Sequence, residues 1–413
     1  MTARGTHGDR ILNCLVYVPN IYNGAGTTQS LVWIVERFEQ AGIRPLICFE
    51  RTWQFPRRVE SASLFPPALR GLPGRLTRFV PKVLLERAFL KLLSRHSPSD
   101  TFVYLWPQPR STLIEAIKKR GFCVFRELIN CPGHVYVAEV SRARRNAGLD
   151  DRHPPNVAAM QDEFRQFQLC DYLTAPNAEV EQALLSLGIP ASKIVPTSFG
   201  WARERFCRFP LGLPERPGEG KDDRPFTVLF VGHLEARKGA HYLAEAWQGM
   251  PPGTRLQLVG TVDPEMAPSL ARWLTDERIV HIPFTSDLEP VFRSADVFAF
   301  PSVEEGGPQV TLEAAGCGLP VVTTAMGAAR IIVDGRNGLI VPSHDVGALR
   351  EALLDLYRNP QKRAALARQA ERDAEAFTYE RVGAARAALF RDKFSEYSRA
   401  WRLPEGRGSK RAR

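Results

Sequence analysis

Short apolar runs separated by amphipathic stretches repeat along most of the chain. Ile11–Val18 (ILNCLVYV) is a run of the kind buried on both faces of a parallel sheet. A Gly-rich turn follows, Asn23-Gly24-Ala25-Gly26. Thr28–Gln40 then has helical spacing of apolar residues and stops at Gly42, which suits the left-handed position after a helix. Ile43–Phe49 is apolar again, completing a βαβ unit. Val83–Leu93 (VLLERAFLKLL) predicts an amphipathic helix. Further strands are expected at Thr101–Trp106, Phe122–Phe125 and Tyr172–Ala175, with a polar helical region, Val135–Leu169, between the last two.

Pro210–Pro225 (PLGLPERPGEGKDDRP) breaks this pattern and reads as a linker. The alternation restarts after it. Strands are expected at Phe226–Val231, Arg255–Val259, Arg278–Ile282, Val297–Phe300, Pro320–Thr323 and Gly338–Val341, with helices between them. From Asp345 to about Trp401 the pattern is helical, and Glu405–Arg413 is a polar, basic tail. The expected fold class is α/β, with two Rossmann-like doubly wound domains. The boundaries fall at residues 1–205, 206–376 and 377–413.

Size agrees with two domains, since 413 residues exceed what one core usually holds. The seven cysteines are scattered without CxxC spacing, so neither a disulfide framework nor a zinc site is expected. The N-terminus lacks the apolar region of a signal peptide, and no apolar run is long enough to cross a bilayer. A cytoplasmic protein is expected. The net charge of +10 is uneven: Arg51–Arg95 carries ten Lys/Arg against Glu60 and Glu86. Such charge favours anionic partners. Leu84, Leu85, Phe89, Leu92 and Leu93, beside Arg87, Lys91 and Arg95, are read as a peripheral contact with the inner membrane surface. The alternative is a helix packed on its own domain with a solvated basic face. A nucleic-acid partner is not expected, because basic and aromatic residues are not interleaved.

The segment richest in chemistry is Pro301–Pro320 (PSVEEGGPQVTLEAAGCGLP), which begins where a strand ends. Ligands in open α/β sheets bind at the carboxyl ends of strands. Gly306-Gly307 permits close backbone approach to a ligand. Pro308 suits a first helical turn, and the free N–H groups around Gln309 make an anion site suited to a diphosphate. Glu313 follows Glu305 by eight residues, about two helical turns, so both carboxylates can face one cleft and grip vicinal hydroxyls.

These residues resemble the signature of GT4-type retaining glycosyltransferases, P-S-x-x-E-G-x-x-x-x-x-x-E-A-x-A-x-G-x-P-V, through Pro301, Ser302, Glu305, Gly306, Glu313, Ala314, Gly318, Pro320 and Val321. Gly316 departs from it mildly. Phe230–Gly239 (FVGHLEARKG) resembles the family's V-G-R-L-x-x-x-K-G turn through Gly232, Lys238 and Gly239. The family's arginine is replaced by His233, and Arg237 is the candidate to supply the missing cation. Ala295-Asp296-Val297 and Asp334-Gly335-x-Asn337-Gly338 also fit, while Ala202 replaces an acidic residue in the interdomain segment.

The resemblance implies the GT-B architecture: two domains facing a cleft, with the C-terminal helix crossing back to the first. It implies a nucleoside-diphosphate-sugar donor, a glycan or lipid-linked acceptor held by the first domain, retention of configuration, and no metal or other cofactor. Lys238 and Arg237 would hold the diphosphate, Glu305 would orient the donor sugar, and Glu313 would grip the ribose. Gly24 and Gly26 would face the donor phosphates. His134 is the first-domain candidate beside the anomeric carbon, although the aspartate that follows it in the family is absent. Glu127 and Asn130 are comparable candidates. Backbone around Val280–Phe284 would meet the base. Two other readings stay open: a catalytically degenerate nucleotide-sugar-binding protein, and a GT-B nucleotide-sugar epimerase. A nicotinamide-dependent oxidoreductase is disfavoured, since no intact G-x-G-x-x-G follows a strand with an acidic residue about 20 positions on.

Overall fold

The computed structural model describes residues 11–22, 24, 26–52, 55–65, 80–107, 109–151, 156–206 and 224–402. Within them lie two parallel sheets. The first contains β1 (Leu12–Tyr22), β2 (Ile43–Thr52), β3 (Ser61–Ser63), β4 (Thr101–Leu105), β5 (Cys123–Glu127), β6 (Tyr172–Ala175) and β7 (Ile194–Pro196), in the order β3-β2-β1-β4-β5-β6-β7. The second contains β8 (Phe226–Val231), β9 (Thr254–Val259), β10 (Ile279–Ile282), β11 (Val297–Phe300), β12 (Val321–Thr323) and β13 (Gly338–Ile340), in the order β10-β9-β8-β11-β12-β13. Strand order reverses between β1 and β4 and between β8 and β11. Those two crevices are where such sheets bind ligands.

The apolar runs form strands because both sheet faces are covered. Val16, Cys14 and Phe102 of the first sheet and Val228, Phe298 and Val321 of the second are fully buried. The expected helix after β1 ends sooner than its spacing suggested. Gly26–Val35 is helical, and a separate turn, Phe38–Ala41, closes on Gly42 at φ 67. The polar region after β5 is two helices, Gly133–Asn146 and Val157–Leu169. Most of the Pro/Gly linker and the whole basic tail lie outside the described residues.

The helix Lys82–Leu93 corrects one expectation. Its Leu85, Phe89 and Leu93 are buried in the core of the first domain, not turned to a bilayer. An amphipathic stripe reports that a face is covered, not by what. Part of the Arg51–Arg95 stretch lies outside the described residues. Among those described, no helix is long and apolar enough to cross a membrane.

The last helix, Tyr379–Arg402, packs on Gly26–Val35 and on the Phe38–Ala41 turn of the first domain. Phe390 stacks on Phe125 of β5 at 4.3 Å. Arg386 donates to both Glu127 oxygens at 3.1 and 3.0 Å, to the Tyr104 hydroxyl at 3.0 Å and to the Ser198 carbonyl at 2.7 Å. Glu127 is therefore a buried anchor for this helix and does not face the cleft.

Candidate functional site

The site is built where the loops after β8 and β11 meet the loops after β5, β6 and β7. The β8 turn, Ala236–Lys238, ends at Gly239 with φ 78. A Cβ there would lie 2.1 Å from the Pro301 carbonyl oxygen, so only glycine lets the turn rest on the start of the β11 loop. The Arg237 carbonyl then accepts from Val303 N–H at 3.0 Å and from Ser302 Oγ at 3.2 Å. The two loops are zipped together, which fixes Lys238 and Arg237 beside the glutamates.

Lys238 Nζ donates to Glu305 Oε1 and lies over the Phe300 ring, 5.5 Å from its centroid. Ser302 Oγ donates to the same Glu305 oxygen at 2.8 Å. Glu305 is only 6% exposed. Arg237 reaches Glu235 at 2.7 Å, Glu304 at 3.2 Å and Glu305 at 3.8 Å. Burial pulls its pKa down, but the three carboxylates outweigh that and hold the guanidinium firmly charged. Glu304 is fully buried and joins the domains. It accepts from Asn130 Nδ2 at 2.9 Å and Cys131 N–H at 2.8 Å of the first domain, and from Arg237 of the second. Burial pushes its carboxyl above the ordinary range, against the opposing pull of Arg237. Sequence reasoning passed over Glu304. Its one signal was the doubled acid Glu304-Glu305, because an unmatched second carboxylate at a loop start needs a partner.

Gly306 and Gly307 do approach other atoms closely, but those atoms belong to the first domain. A Cβ on Gly306 would meet the Ile129 carbonyl at 2.1 Å, and one on Gly307 the Phe199 ring at 2.4 Å. Pro308 precedes the helix Gln309–Gly316 as its N-cap. The Gln309 side chain accepts from Ser30 Oγ at 2.9 Å and Tyr379 OH at 2.6 Å, linking this helix to Gly26–Val35 and to the last helix. Gly24 and Gly26 both have positive φ, 77 and 62, and the space beside Gly26 is open.

Glu313 has a different partner from Glu305. Its side chain is 12% exposed, and Arg205 lies 4.0 Å away. Burial pushes its carboxyl up to about 7, with Arg205 opposing. His233 is held by the loop after β9. Its Nδ1 lies 2.8 Å from Thr261 Oγ1 and its Nε2 3.9 Å from Asp263, and the ring is 42% exposed. The neighbouring Gly232 carbonyl would lie 2.0 Å from a Cβ on Gly260, so only glycine at 260 lets the loops after β8 and β9 pack together. His134 sits in the first turn of Gly133–Asn146, with Nε2 3.5 Å from Ser186 Oγ, and makes no described contact with Lys238 or Glu305. Asn130 and Cys131, four and three residues before it, are the residues of that loop that bond to the signature segment. Further ties cross between domains: Glu139–His344 at 2.8 Å, Arg144–Glu265 at 2.6 Å, and Arg330 to Glu181. Among the described residues, no group of three or more His, Cys, Asp or Glu is placed to hold a metal.

Residues 225–359 match the family model "Glycosyl transferases group 1". The chain is 32% identical over 211 residues to a D-inositol 3-phosphate glycosyltransferase of Arthrobacter sp. (strain FB24), covering 48% of each protein. It is 34% identical over 207 residues to the Mycobacterium bovis (strain BCG / Pasteur 1173P2) protein of the same name, covering 47% of this chain and 41% of that one. The chain thus spans about half the length of the curated relatives it matches. Solved structures extend the likeness in fold to nearly the whole chain. A sucrose-phosphate synthase from Thermosynechococcus elongatus has TM-score 0.70 at 19% identity, covering 94% of this chain and 100% of that one. Anabaena Alr3699/HepE in complex with UDP-glucose has TM-score 0.64 at 17% identity, covering 92% and 99%. Residues 225–359 are thus similar to the glycosyl transferases group 1 family, and the chain as a whole has the two-domain GT-B fold.

Proposed function

We propose that this protein is a metal-independent, retaining glycosyltransferase that moves a sugar from a nucleoside-diphosphate sugar to a glycan or lipid-linked acceptor. The carrying observation is the pair of half-buried cations, Arg237 and Lys238, locked beside Glu305 at the switch point between β8 and β11. Transfer breaks the bond between the anomeric carbon and the diphosphate oxygen and forms one to an acceptor oxygen. The leaving diphosphate gathers negative charge, which fixed cations and backbone dipoles stabilise without reorganising. Lys238 and Arg237 are those cations, and the N-terminus of Gln309–Gly316 adds its free N–H groups.

Glu305 neutralises Lys238. A diphosphate arriving at Lys238 competes with that carboxylate and frees Glu305 to accept from the donor sugar's hydroxyls. Glu313 would grip the ribose. In front-face transfer the leaving phosphate takes the acceptor proton, so no separate protein base is needed. Anabaena Alr3699/HepE, of the same fold, has been captured with UDP-glucose, which favours a UDP-sugar as the first donor to try. Exposed Val83 and Leu84 beside Arg87 suit a lipid-linked acceptor at the cytoplasmic membrane surface.

The test is to incubate the protein with UDP-, GDP- and ADP-sugars and measure released nucleoside diphosphate with and without lipid-linked acceptors. Acceptor-dependent release is expected. No nucleotide sugar bound at all overturns the reading. Binding without turnover favours a degenerate nucleotide-sugar-binding protein, a reading kept in view by His233 standing where the family has arginine and being held by Thr261.

A further inference from the structure

A cavity of about 750 Å³ lies beside the donor loops, walled by neither Lys238 nor Glu305. Its first wall is one face of the helix Gly26–Val35 and the turn after it, where Gln29, Trp33 and Arg37 follow at four-residue steps. Its second is the start of the last helix, Tyr379 to Arg381. Arg57 and Arg58 close one side and the segment after Trp201 closes the other. The volume is that of a small-molecule site, in the usual range of roughly 300–1,000 Å³.

The wall chemistry narrows the occupant. Trp33 is half-buried, with its ring 4.7 Å from that of Tyr379. Around this aromatic wall stand five arginines and four glutamates. The near balance disfavours a strongly anionic ligand. Flat aromatic surface and forked donors alternating with forked acceptors instead match a sugar ring, whose C–H face is apolar and whose hydroxyls both donate and accept. Arg57, Arg58 and Arg381 are exposed and form no ion pair among the described residues, and Arg58 lies close enough to Glu36 of the same wall to favour its charged form. Tyr379 donates at 2.6 Å to Gln309, the first residue of the donor-loop helix. An occupant resting on Trp33 and Tyr379 therefore sits one side chain from the donor machinery.

We propose that this cavity binds sugar residues of the acceptor glycan remote from the hydroxyl that reacts, with a ring stacked on Trp33 and its hydroxyls met by Arg58 and Arg381. The proposal rests on the transferase reading for the word acceptor, but the binding is measurable without turnover. Contacts far from the reacting atoms hold the acceptor in register.

The experiment is saturation-transfer NMR on the full chain with maltose, cellobiose and chitobiose. UDP-glucose binding is followed separately by calorimetry. At least one disaccharide is expected to show saturable ring-proton transfer. Trp33→Ala should weaken it roughly fivefold, as loss of one aromatic contact would. Arg58→Ala, an exposed change that leaves the core intact, should weaken it too. Lys238→Ala should leave disaccharide binding unchanged while lowering UDP-glucose affinity. The proposal is overturned if no disaccharide binds the wild type, or if Trp33→Ala and Arg58→Ala both bind as the wild type does. Loss of binding in Lys238→Ala also overturns it, because the sugar would then occupy the donor site. Failure of every UDP-, GDP- and ADP-sugar to bind would strike the transferase reading alone.

Discussion

The Glu304 carboxylate accepts the Cys131 N–H of one domain while taking a hydrogen bond from Arg237 of the other. Both partners lose something if it goes: a buried backbone N–H is orphaned, and Arg237 loses one of three carboxylates while keeping Glu235, Glu305 and the backbone carbonyl of position 304. Glu304→Ala should cost about 1–3 kcal/mol of stability, as an unsatisfied buried group does. Thermal melts check this. Glu304→Gln retains an acceptor for Cys131 and should recover most of the loss.

The cation turn makes opposite predictions for neighbouring residues. Lys238→Ala should weaken UDP-glucose binding by about 1.5–3 kcal/mol, the worth of a hydrogen bond between charged groups. His233→Ala should change affinity little, because its ring is held by Thr261 and faces Asp263. Calorimetry with both variants decides whether the family's missing arginine has been replaced by Arg237. Equal losses at 233 and 238 would show that it has not.

Glu313 carries a pH signature. Its ordinary value of 4.5 is raised to about 7 by burial. Below about pH 4 the carboxyl is neutral whether the chain is folded or not. Between 4.5 and 7 the unfolded chain gives up a proton that the fold retains, so stability falls as pH rises through that window. Above it the fold bears a buried charge costing about 3 kcal/mol at most. Glu313→Gln should therefore be more stable than wild type at pH 8 and no different at pH 4, while binding donor more weakly. Denaturant melts at the two pH values read this directly, and an equal offset at both would contradict it.

The last helix depends on one buried ion pair. Arg386 and Glu127 have side chains 1% and 0% exposed. Arg386→Ala strands Glu127 and should cost about 3–5 kcal/mol. Arg386→Lys keeps the charge but cannot serve Glu127, Tyr104 and Ser198 together, so it should fall between. Urea unfolding of the two variants ranks them.

What the sequence revealed and what it hid divide along a physical line. Tyr172–Ala175, Phe226–Val231 and Val297–Phe300 were legible to the residue, because a strand covered on both faces is an unbroken apolar run. Ser61–Ser63 and Ile194–Pro196 were not, since three-residue edge strands carry no periodicity. In the site, Lys238 and Glu305 were legible through local motifs, and the structure pairs them. The link from Glu304 to Asn130 and Cys131 spans more than 170 residues, and a contact between domains leaves no local pattern. The helix Lys82–Leu93 shows the converse failure: its stripe was plain, but the partner beneath it was not.

Position 306 is in effect a gauge of how far the two domains are shut. In this arrangement the Ile129 carbonyl occupies the place of any side chain there. A single methyl group, as in Gly306→Ala, would act as a doorstop between the domains while adding nothing to the cations or the glutamate side chains. Such a variant would separate the chemistry of the site from the seating of one domain on the other.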